Sequence, residues 1–270
     1  MLHLRKGFRH KKKLYFLHIP KTAGTSVSNI LSRIAAEKDL VMVGGPILID
    51  HLIDKPNWEN SDLLAGHLGL LPLEYKFDYF TVLREPLQRL YSYYSHVKRD
   101  SYHYHHKIVD GERLDFLGYL LDERFYNINF NMQTRYLSTK PRTDTSDKGR
   151  VYAQKSSEFE NSPKTNVNLE LALRTLENAS WVGNSSNLVQ LGRFLEMRFD
   201  FPNIHFPYLN QDPASGKIFS TAEIEAAKPL IAECRCTHQT CRVHSLRDSL
   251  SCNAASSSMR RQRTFKPLIM

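Results

Sequence analysis

Three stretches of the chain share one pattern, in which a short apolar run leads through polar residues into apolar positions at helical spacing. The first run, "LYFLHI" at residues 14–19, is typical of a strand buried in a parallel sheet. From Thr25 onwards apolar side chains recur at i, i+3, i+4, i+7 and i+8, which predicts one buried helix face. These positions are Val27, Ile30, Leu31, Ile34 and Ala35. The first unit is therefore predicted to be strand, tight loop and helix.

The second unit is "DYFTVLREPLQRLYSYYSHVKR" at residues 78–99. Its run "YFTVL" (79–83) predicts a second buried strand, and Pro86 suits the first turn of the helix that follows. The buried face of this helix is predicted from the apolar spacing. It consists of Leu87, Leu90, Tyr91 and Tyr94.

A third copy of the pattern occupies residues 180–199, with a short predicted strand at 181–183 and a helix from about Ser186. Repeated strand–helix units predict an α/β fold, in which helices cover a parallel sheet. Residues 138–167 are rich in Ser, Thr, Lys, Asp and Pro, and are predicted to form a long loop.

The net charge of +9 is concentrated at the two ends of the 270-residue chain. Residues 1–13 contribute +6 and residues 234–270 contribute another +6, so the body at 14–233 carries −3. Basic tails are usually solvated, and we expect no nucleic-acid partner. The predicted organisation is a basic tail at 1–13, a single domain at 14–233 and a Cys/Ser/Arg-rich tail at 234–270, which is predicted to be disordered.

All four cysteines lie within the last 37 residues, so the body has neither a disulfide framework nor a cysteine nucleophile. The cysteine and histidine spacing fits no strong zinc template, and no metal site is expected. The sequence has no run of 18 apolar residues and no apolar core before Leu14, so we expect neither a transmembrane segment nor a signal peptide. The expected location is cytoplasmic, with the Golgi lumen as the alternative for a truncated N-terminus.

The loop "PKTAGTS" (20–26) joins the first predicted strand to the first helix. The first N–H groups of a helix have no intrahelical acceptor, and the helix dipole favours negative charge at this end. The small residues Ala23 and Gly24 let the backbone approach a ligand, while Lys21 can supply a point charge. Hydroxyl donors are available from Thr22, Thr25 and Ser26. The loop is therefore a candidate phosphate site.

Two alternatives to this interpretation remain open. The loop could simply be a capped helix start, with Thr25 or Ser26 as the N-cap and Lys21 in solvent. A nucleotide kinase is the other, but its Walker loop reads G-x-x-x-x-G-K-[ST], whereas Lys21 precedes the only glycine here. Because the lysine and the glycine stand in the opposite order from a Walker loop, the loop does not imply ATP or GTP hydrolysis.

A second candidate anion site lies at the end of the second predicted strand. Arg84 follows that strand, where open parallel sheets bind ligands, and Ser92 lies about two helical turns later. Arginine offers a planar fork for phosphate, and serine offers a hydroxyl. The alternative is a surface pair of Arg84 with Glu85 and an incidental serine.

The two motifs together resemble the sulfotransferases, and most closely the carbohydrate branch of heparan sulfate 2-O- and 6-O-sulfotransferases and related bacterial proteins. "FLHIPKTAGTS" is similar to the 5′-phosphosulfate loop of that branch. "TVLREPLQRLYSYY" is similar to its 3′-phosphate motif, which usually has Asp where this chain has Glu85. The likeness continues in "LAGHLGL" (64–70), "NMQTRYL" (131–137) and "LENASWVGNSSNLVQLGRFLEMRF" (176–199).

The resemblance implies a P-loop-NTPase-like sheet and the sulfuryl donor 3′-phosphoadenosine 5′-phosphosulfate (PAPS), with no metal. It implies that the 5′-phosphosulfate is bound by Lys21, Thr22, Gly24, Thr25 and Ser26. It implies that Arg84 and Ser92 hold the 3′-phosphate. His67 matches the position of the base, and Lys21 would stabilise the departing phosphate. The implied acceptor is a hydroxyl of a glycan or polysaccharide.

Three further expectations concern residues outside these motifs. The "SYHYHHK" histidines, His103, His105 and His106, are expected to form a solvated helix end rather than to contact an acidic sugar. Gln133 and Arg135 match a family motif on a predicted helix near the acceptor side, although a salt bridge explains Arg135 equally well. After "STAEIEAAKPLIAE" (220–233) the family pattern stops, which leaves open a catalytically impaired homologue that binds nucleotide or glycan without transfer.

Overall fold

The fold is known from a computed structural model of the chain, which describes residues 13–44, 60–71, 76–138, 142–144, 150–152, 168–206 and 217–231. The predicted tails at 1–13 and 234–270 lie outside these ranges except for Lys13. The strands, numbered along the chain, are β1 (Leu14–Leu17), β2 (Met42–Gly44), β3 (Leu63–Gly66), β4 (Asp78–Leu83), β5 (Arg142–Asp144), β6 (Arg150–Tyr152) and β7 (Trp181–Asn184).

The helices that the structure describes vary from one turn to four. They are α1 (Gly24–Lys38), α2 (Pro86–Arg99), α3 (His106–Val109), α4 (Phe116–Leu121), α5 (Tyr126–Asn129), α6 (Met132–Ser138), α7 (Leu169–Asn178), α8 (Val189–Phe199) and α9 (Thr221–Ile231). A 3₁₀ turn at Glu123–Phe125 joins α4 to α5. Within the described ranges, no helix is long and apolar enough to cross a membrane.

Five strands form one parallel sheet in the order β2-β3-β1-β4-β7. The first strand lies at its centre, where Leu17 is level with Gly66 of β3 on one side and with Thr81 of β4 on the other. Because the three central strands are parallel and in step, their carboxyl ends meet at one edge. The loops that follow them are therefore neighbours in space although they are far apart in the chain.

The side chains of β1 alternate between the two faces of the sheet, as a strand buried on both faces requires. Leu14 and Phe16 pack with α1 and α8 on one face. Tyr15 and Leu17 pack on the other face with α2, α4, α6, α7 and α9. The fold is therefore a three-layer α/β domain, which confirms the predicted parallel sheet flanked by helices.

The predicted units match the observed elements, with small shifts at their ends. The first strand ends at Leu17 rather than at residue 19, because the chain turns into the loop before α1. Pro86 is the first residue of α2, as predicted. The helix of the third unit, α8, begins at Val189 rather than near Ser186. The Asn184 side chain accepts hydrogen bonds from the backbone N–H (2.9 Å) and the hydroxyl (3.0 Å) of Ser186, which holds a turn there.

The prediction of a structureless loop at 138–167 is wrong in part. Residues 142–144 and 150–152 pair as the antiparallel strands β5 and β6. A stretch rich in Ser, Thr and Lys hides such a hairpin because its strands lack an alternating apolar pattern.

Candidate functional site

The carboxyl ends of the three central strands carry the chemistry-bearing residues that the sequence singled out. His67 directly follows β3, Lys21 lies in the loop after β1, and Arg84 directly follows β4. The backbone N–H of His18 donates to the carbonyl of Gly66 (3.1 Å), which extends the β1–β3 pairing to the start of these loops. The sheet register alone thus brings the predicted base, the predicted loop and the predicted arginine to one edge.

The loop between β1 and α1 has a strained backbone, and the strain falls on two residues that are not glycine. Lys21 and Ala23 have φ values of 69° and 70°, in the left-handed region that non-glycine residues seldom adopt. Between them, the fully buried Thr22 donates its hydroxyl proton to the carbonyl of Ile19 (2.8 Å). Backbone that alternates between right- and left-handed residues turns successive N–H groups towards one concavity, which suits an anion.

The amino end of α1 faces this concavity. Its N-cap residue is Ala23, whose side chain makes no capping hydrogen bond. Thr25 and Ser26 lie inside the helix, so the alternative in which either one is the N-cap is wrong. The first N–H groups of α1 therefore point into the same concavity as those of the loop.

Gly24 is required here by a neighbouring ring. A Cβ atom at this position would lie 1.5 Å from Nε2 of His18, so the ring or the loop would have to move. His18 itself is buried and stacks on Phe16, with 5.1 Å between ring centroids. The absent side chain of Gly24 thus makes room for an imidazole beneath the loop.

Arg84 joins the two candidate anion sites. Its guanidinium nitrogen Nη1 donates to the carbonyl of Lys21 (3.2 Å), so the end of β4 is fastened to the loop after β1. Arg84 is buried, which disagrees with the alternative of a surface pair with Glu85. The Glu85 carboxylate instead accepts from the backbone N–H groups of Leu87 (3.0 Å) and Gln88 (2.7 Å) and caps α2.

One face of α2 continues the site. Arg89, Ser92, His96 and Arg99 are spaced at i, i+3, i+7 and i+10, which places them on one side of the helix. Ser92 and Arg89 are buried. The Ser92 hydroxyl therefore lies on the same side of α2 as three groups that carry or can carry positive charge.

The electrostatics of the site favour an anion. Burial, together with the positive charges of Arg99, Arg84 and Arg89, lowers the pKa of Lys21 to about 8, while Asp100 acts in the opposite direction. Several cations thus converge where one nearby carboxylate opposes them. A bound polyanion would relieve this repulsion and restore the charge of Lys21.

His67 lies beside Lys21 as a neutral imidazole. Burial, with His18 and Lys21 as further causes, holds the pKa of His67 well below its usual value. Its Nε2 atom is shielded from solvent and has no hydrogen-bond partner among the described residues. The ring is held edge-on between His18 (4.2 Å between centroids) and Tyr136 (5.8 Å). Nε2 is therefore a ring nitrogen at which a proton could be accepted.

A family model described as "Sulfotransferase family" matches residues 8–148, which is just over half of the chain. This protein belongs to the sulfotransferase family. The matched span contains β1 to β4, all three loops at the sheet edge and α6. A search of curated proteins gave no match. Family membership identifies the chain as a transferase of the sulfuryl group.

Sequence reasoning about this sulfotransferase missed the role of His18 and the partner of Gln133. His18 was only one letter of the loop motif, although its place two residues after Phe16 predicts that it shares that side chain's face. Gln133 was noted as a motif match, but its partner is the backbone of Arg84, 49 residues away. The sequence offers no signal for such a contact.

The expectation of a solvated histidine cluster is wrong for His105. That side chain is buried, and its ring packs edge-on against Phe125 (5.1 Å between centroids). Burial also lowers the pKa of the partly buried His103 to about 4, and His96 and His105 add to this shift. Among the described residues of this sulfotransferase, no group of three His, Cys, Asp or Glu side chains is arranged to hold a metal ion.

Proposed function

We propose that the protein transfers the sulfuryl group of PAPS to a hydroxyl of a carbohydrate acceptor. One observation carries the choice of donor, namely the 3.2 Å hydrogen bond from Arg84 Nη1 to the carbonyl of Lys21. In support of this choice, the contact joins the residue after β4 to the loop after β1, the two proposed sites for the charged groups of the donor. PAPS has a charged group at each end of its ribose, and ATP does not.

The 5′-phosphosulfate would lie in the concavity at the amino end of α1. Lys21 supplies the positive charge, Gly24, Thr25 and Ser26 supply backbone N–H groups, and the last two also carry hydroxyls. The hydroxyl proton of Thr22 already goes to Ile19, so Thr22 would contribute its backbone N–H. The 3′-phosphate would be bound by the guanidinium of Arg84 and the hydroxyl of Ser92.

Transfer would follow an in-line displacement, in which positioning and charge stabilisation supply most of the rate. His67 takes the proton of the acceptor hydroxyl, whose oxygen forms the new bond to sulfur as the bond from sulfur to the 5′-phosphate oxygen breaks. Lys21 stabilises the charge that builds on the departing phosphate. The lowered pKa of His67 keeps it unprotonated in the free protein, as a base must be.

The carbohydrate acceptor is supported by the resemblance of the loop motifs and by the turn after α2, where the charge of Lys21 still affects the pKa of His103. The turn after α2 presents two exposed tyrosine rings, Tyr102 (97% exposed) and Tyr104 (51%). Tyr104 stacks on His103, with ring centroids 4.6 Å apart. Rings with an apolar face and a polar edge are suited to the mixed surface of a sugar.

Calorimetry with 3′-phosphoadenosine 5′-phosphate (PAP), with ADP as its comparison, tests the donor. We expect the wild type to prefer PAP, and Arg84→Ala to lose that preference by about 100-fold, since an arginine–phosphate contact contributes a few kcal/mol. Arg33→Ala is the matched control, because Arg33 is an exposed arginine of α1 that pairs only loosely with Glu37 (4.0 Å). Equal affinity of the wild type for PAP and ADP would refute PAPS as donor.

A transfer assay with PAPS and a panel of glycans tests the acceptor class and the base. We expect His67→Ala to bind PAP normally and to lose turnover by at least about 100-fold, as for the loss of a general base. His205→Ala, which alters an exposed histidine, should retain full activity. Undiminished turnover in His67→Ala would remove His67 from the mechanism, and transfer to no glycan would leave a PAP-binding protein without this activity.

A further inference from the structure

The peptide groups of Arg84 are held on both sides by one side chain. Gln133 donates from Nε2 to the carbonyl of Arg84 (2.9 Å), and its Oε1 accepts from the N–H of Arg84 (2.9 Å). Gln133 is only 2% exposed, so these bonds form away from competing water. The carboxamide thus takes the place of a neighbouring strand just where β4 ends.

At neutral pH a carboxamide of this reach satisfies both groups, whereas the carboxylate of a glutamate does not. An amide offers a donor and an acceptor in one plane, whereas an ionised carboxylate offers acceptors alone and would repel the Arg84 carbonyl. Leaving the buried N–H and C=O unpaired would cost the desolvation of both. The contact therefore fixes the backbone from which the guanidinium of Arg84 reaches the carbonyl of Lys21.

The short helix that carries Gln133 also supports other parts of the site. Met132 lies 3.1 Å from Nη1 of Arg89 through its sulfur, and Tyr136 packs against His67. The start of this helix is fixed in turn, because the backbone N–H of Asn131 donates to the carbonyl of Leu230 in α9 (2.9 Å). One helix thus backs the arginines and the imidazole of the site together.

We propose that Gln133 is a positioning residue that sets the preference for a 3′-phosphate by holding Arg84 in its binding orientation. The inference rests on the proposed function, since the phosphate that Arg84 would bind belongs to the proposed donor. Gln133 itself touches only the Arg84 backbone and acts through it.

The positioning can be measured without any nucleotide. Amide hydrogen exchange at Arg84 should be slow in the wild type and at least about tenfold faster in Gln133→Ala, because the N–H loses its acceptor. Unchanged exchange at Arg84 in a folded Gln133→Ala variant would overturn the inference. If that variant fails to fold, Gln133→Glu provides the test, since a protonated carboxyl can both donate and accept at this site.

The effect on specificity follows from a double-mutant cycle with PAP and ADP. We expect Gln133→Ala to weaken PAP binding about tenfold and ADP binding less than twofold, and to have no further effect in the Arg84→Ala background. The PAP affinity of Gln133→Glu, relative to the wild type at each pH, should recover as pH falls and its carboxyl is protonated.

Equal losses for both nucleotides, or the same loss without Arg84, would show a merely structural role and overturn the inference. A wild type that binds PAP no better than ADP would refute the proposed donor and the specificity role together. Amide exchange would in that case still report whether Gln133 holds Arg84, so the two failures are distinguishable.

Discussion

The amino ends of α1 and α2 follow neighbouring strands of the same sheet, yet they are finished in opposite ways. The N-cap of α2 is Glu85, whose carboxylate accepts from two backbone N–H groups of the first turn. The N-cap of α1 is Ala23, whose side chain makes no capping hydrogen bond. One helix end is thus capped by the protein's own carboxylate, and the other, the open end, is the proposed site of an external anion.

The difference explains why the two motifs need different residues. Under the proposed function the backbone at α1 would itself bind an anion, so small residues and one lysine would suffice. At α2 the Glu85 carboxylate occupies the helix end, so under the proposed function the second anion would be held by the side chains of Arg84 and Ser92. The Glu85 carboxylate at the end of α2 also repels negative charge, which would keep the two charged groups of the proposed donor apart.

Removing the cation of the open end should have the largest effect. We expect Lys21→Ala to weaken PAP binding about 100-fold, since a buried charge-assisted contact is lost. Titration calorimetry measures the change. Lys98→Ala is the matched control, because Lys98 lies on an outer face of α2 with its Nζ near the Tyr94 ring. A loss below threefold would mean that backbone groups alone bind the anion.

Filling the space under the open end should destabilise the fold. We expect Gly24→Ala to lower the free energy of unfolding by about 2 kcal/mol, the usual cost of overpacking, because the new Cβ meets the ring of His18. Chemical denaturation measures this value. The double variant His18→Ala/Gly24→Ala should recover part of the loss, and a double variant that merely adds both losses would contradict the steric explanation.

The pH dependence of binding should report the charge at the open end. Lys21 has a pKa of about 8 in the free protein, and a bound anion raises it, so binding above pH 8 takes up a proton. Affinity should therefore fall with rising pH, by about tenfold from pH 7 to pH 9. Calorimetry in buffers of different ionisation enthalpy measures the uptake. The same slope in Lys21→Arg, which stays charged, would assign it to another group.

Removing the Glu85 cap of α2 should have the smallest effect. We expect Glu85→Ala to lower the free energy of unfolding by about 1 kcal/mol, as for the loss of an N-cap, and to change PAP affinity less than twofold. Thermal and chemical denaturation check the first value, and Glu85→Asp should preserve the cap. A marked change in PAP affinity would show that the two helix ends do not act separately.

The sheet and the order of its motifs could be predicted because they depend on local patterns. Apolar runs such as 14–19 and the helical spacing after Thr25 are visible in the sequence itself. Arg84 and Lys21 were found for the same reason, since each follows a strand. Their meeting could not be derived from either motif, because it depends on β1 and β4 being neighbours.

What the sequence could not give are the contacts between distant residues. The bond pair of Gln133 with Arg84 spans 49 residues and leaves no periodic trace. The burial of His105 depends on Phe125, which packs against it from the 3₁₀ turn at Glu123–Phe125. The left-handed Lys21 and Ala23 were likewise hidden, because a non-glycine residue in that region is held there by its surroundings rather than by its own preference.

The pairing of β4 with β7, the last strand of the sheet to be synthesised, also affects how the chain folds during synthesis. Strands β1, β3 and β4 lie within the first 83 residues, whereas β7, which covers the far side of β4, ends at residue 184. About one hundred residues must therefore emerge from the ribosome while β4 still presents an unpaired edge. Such an edge invites pairing with other chains. A nascent chain stopped before Trp181 should accordingly aggregate or recruit chaperones, and one extended past Phe199 should not.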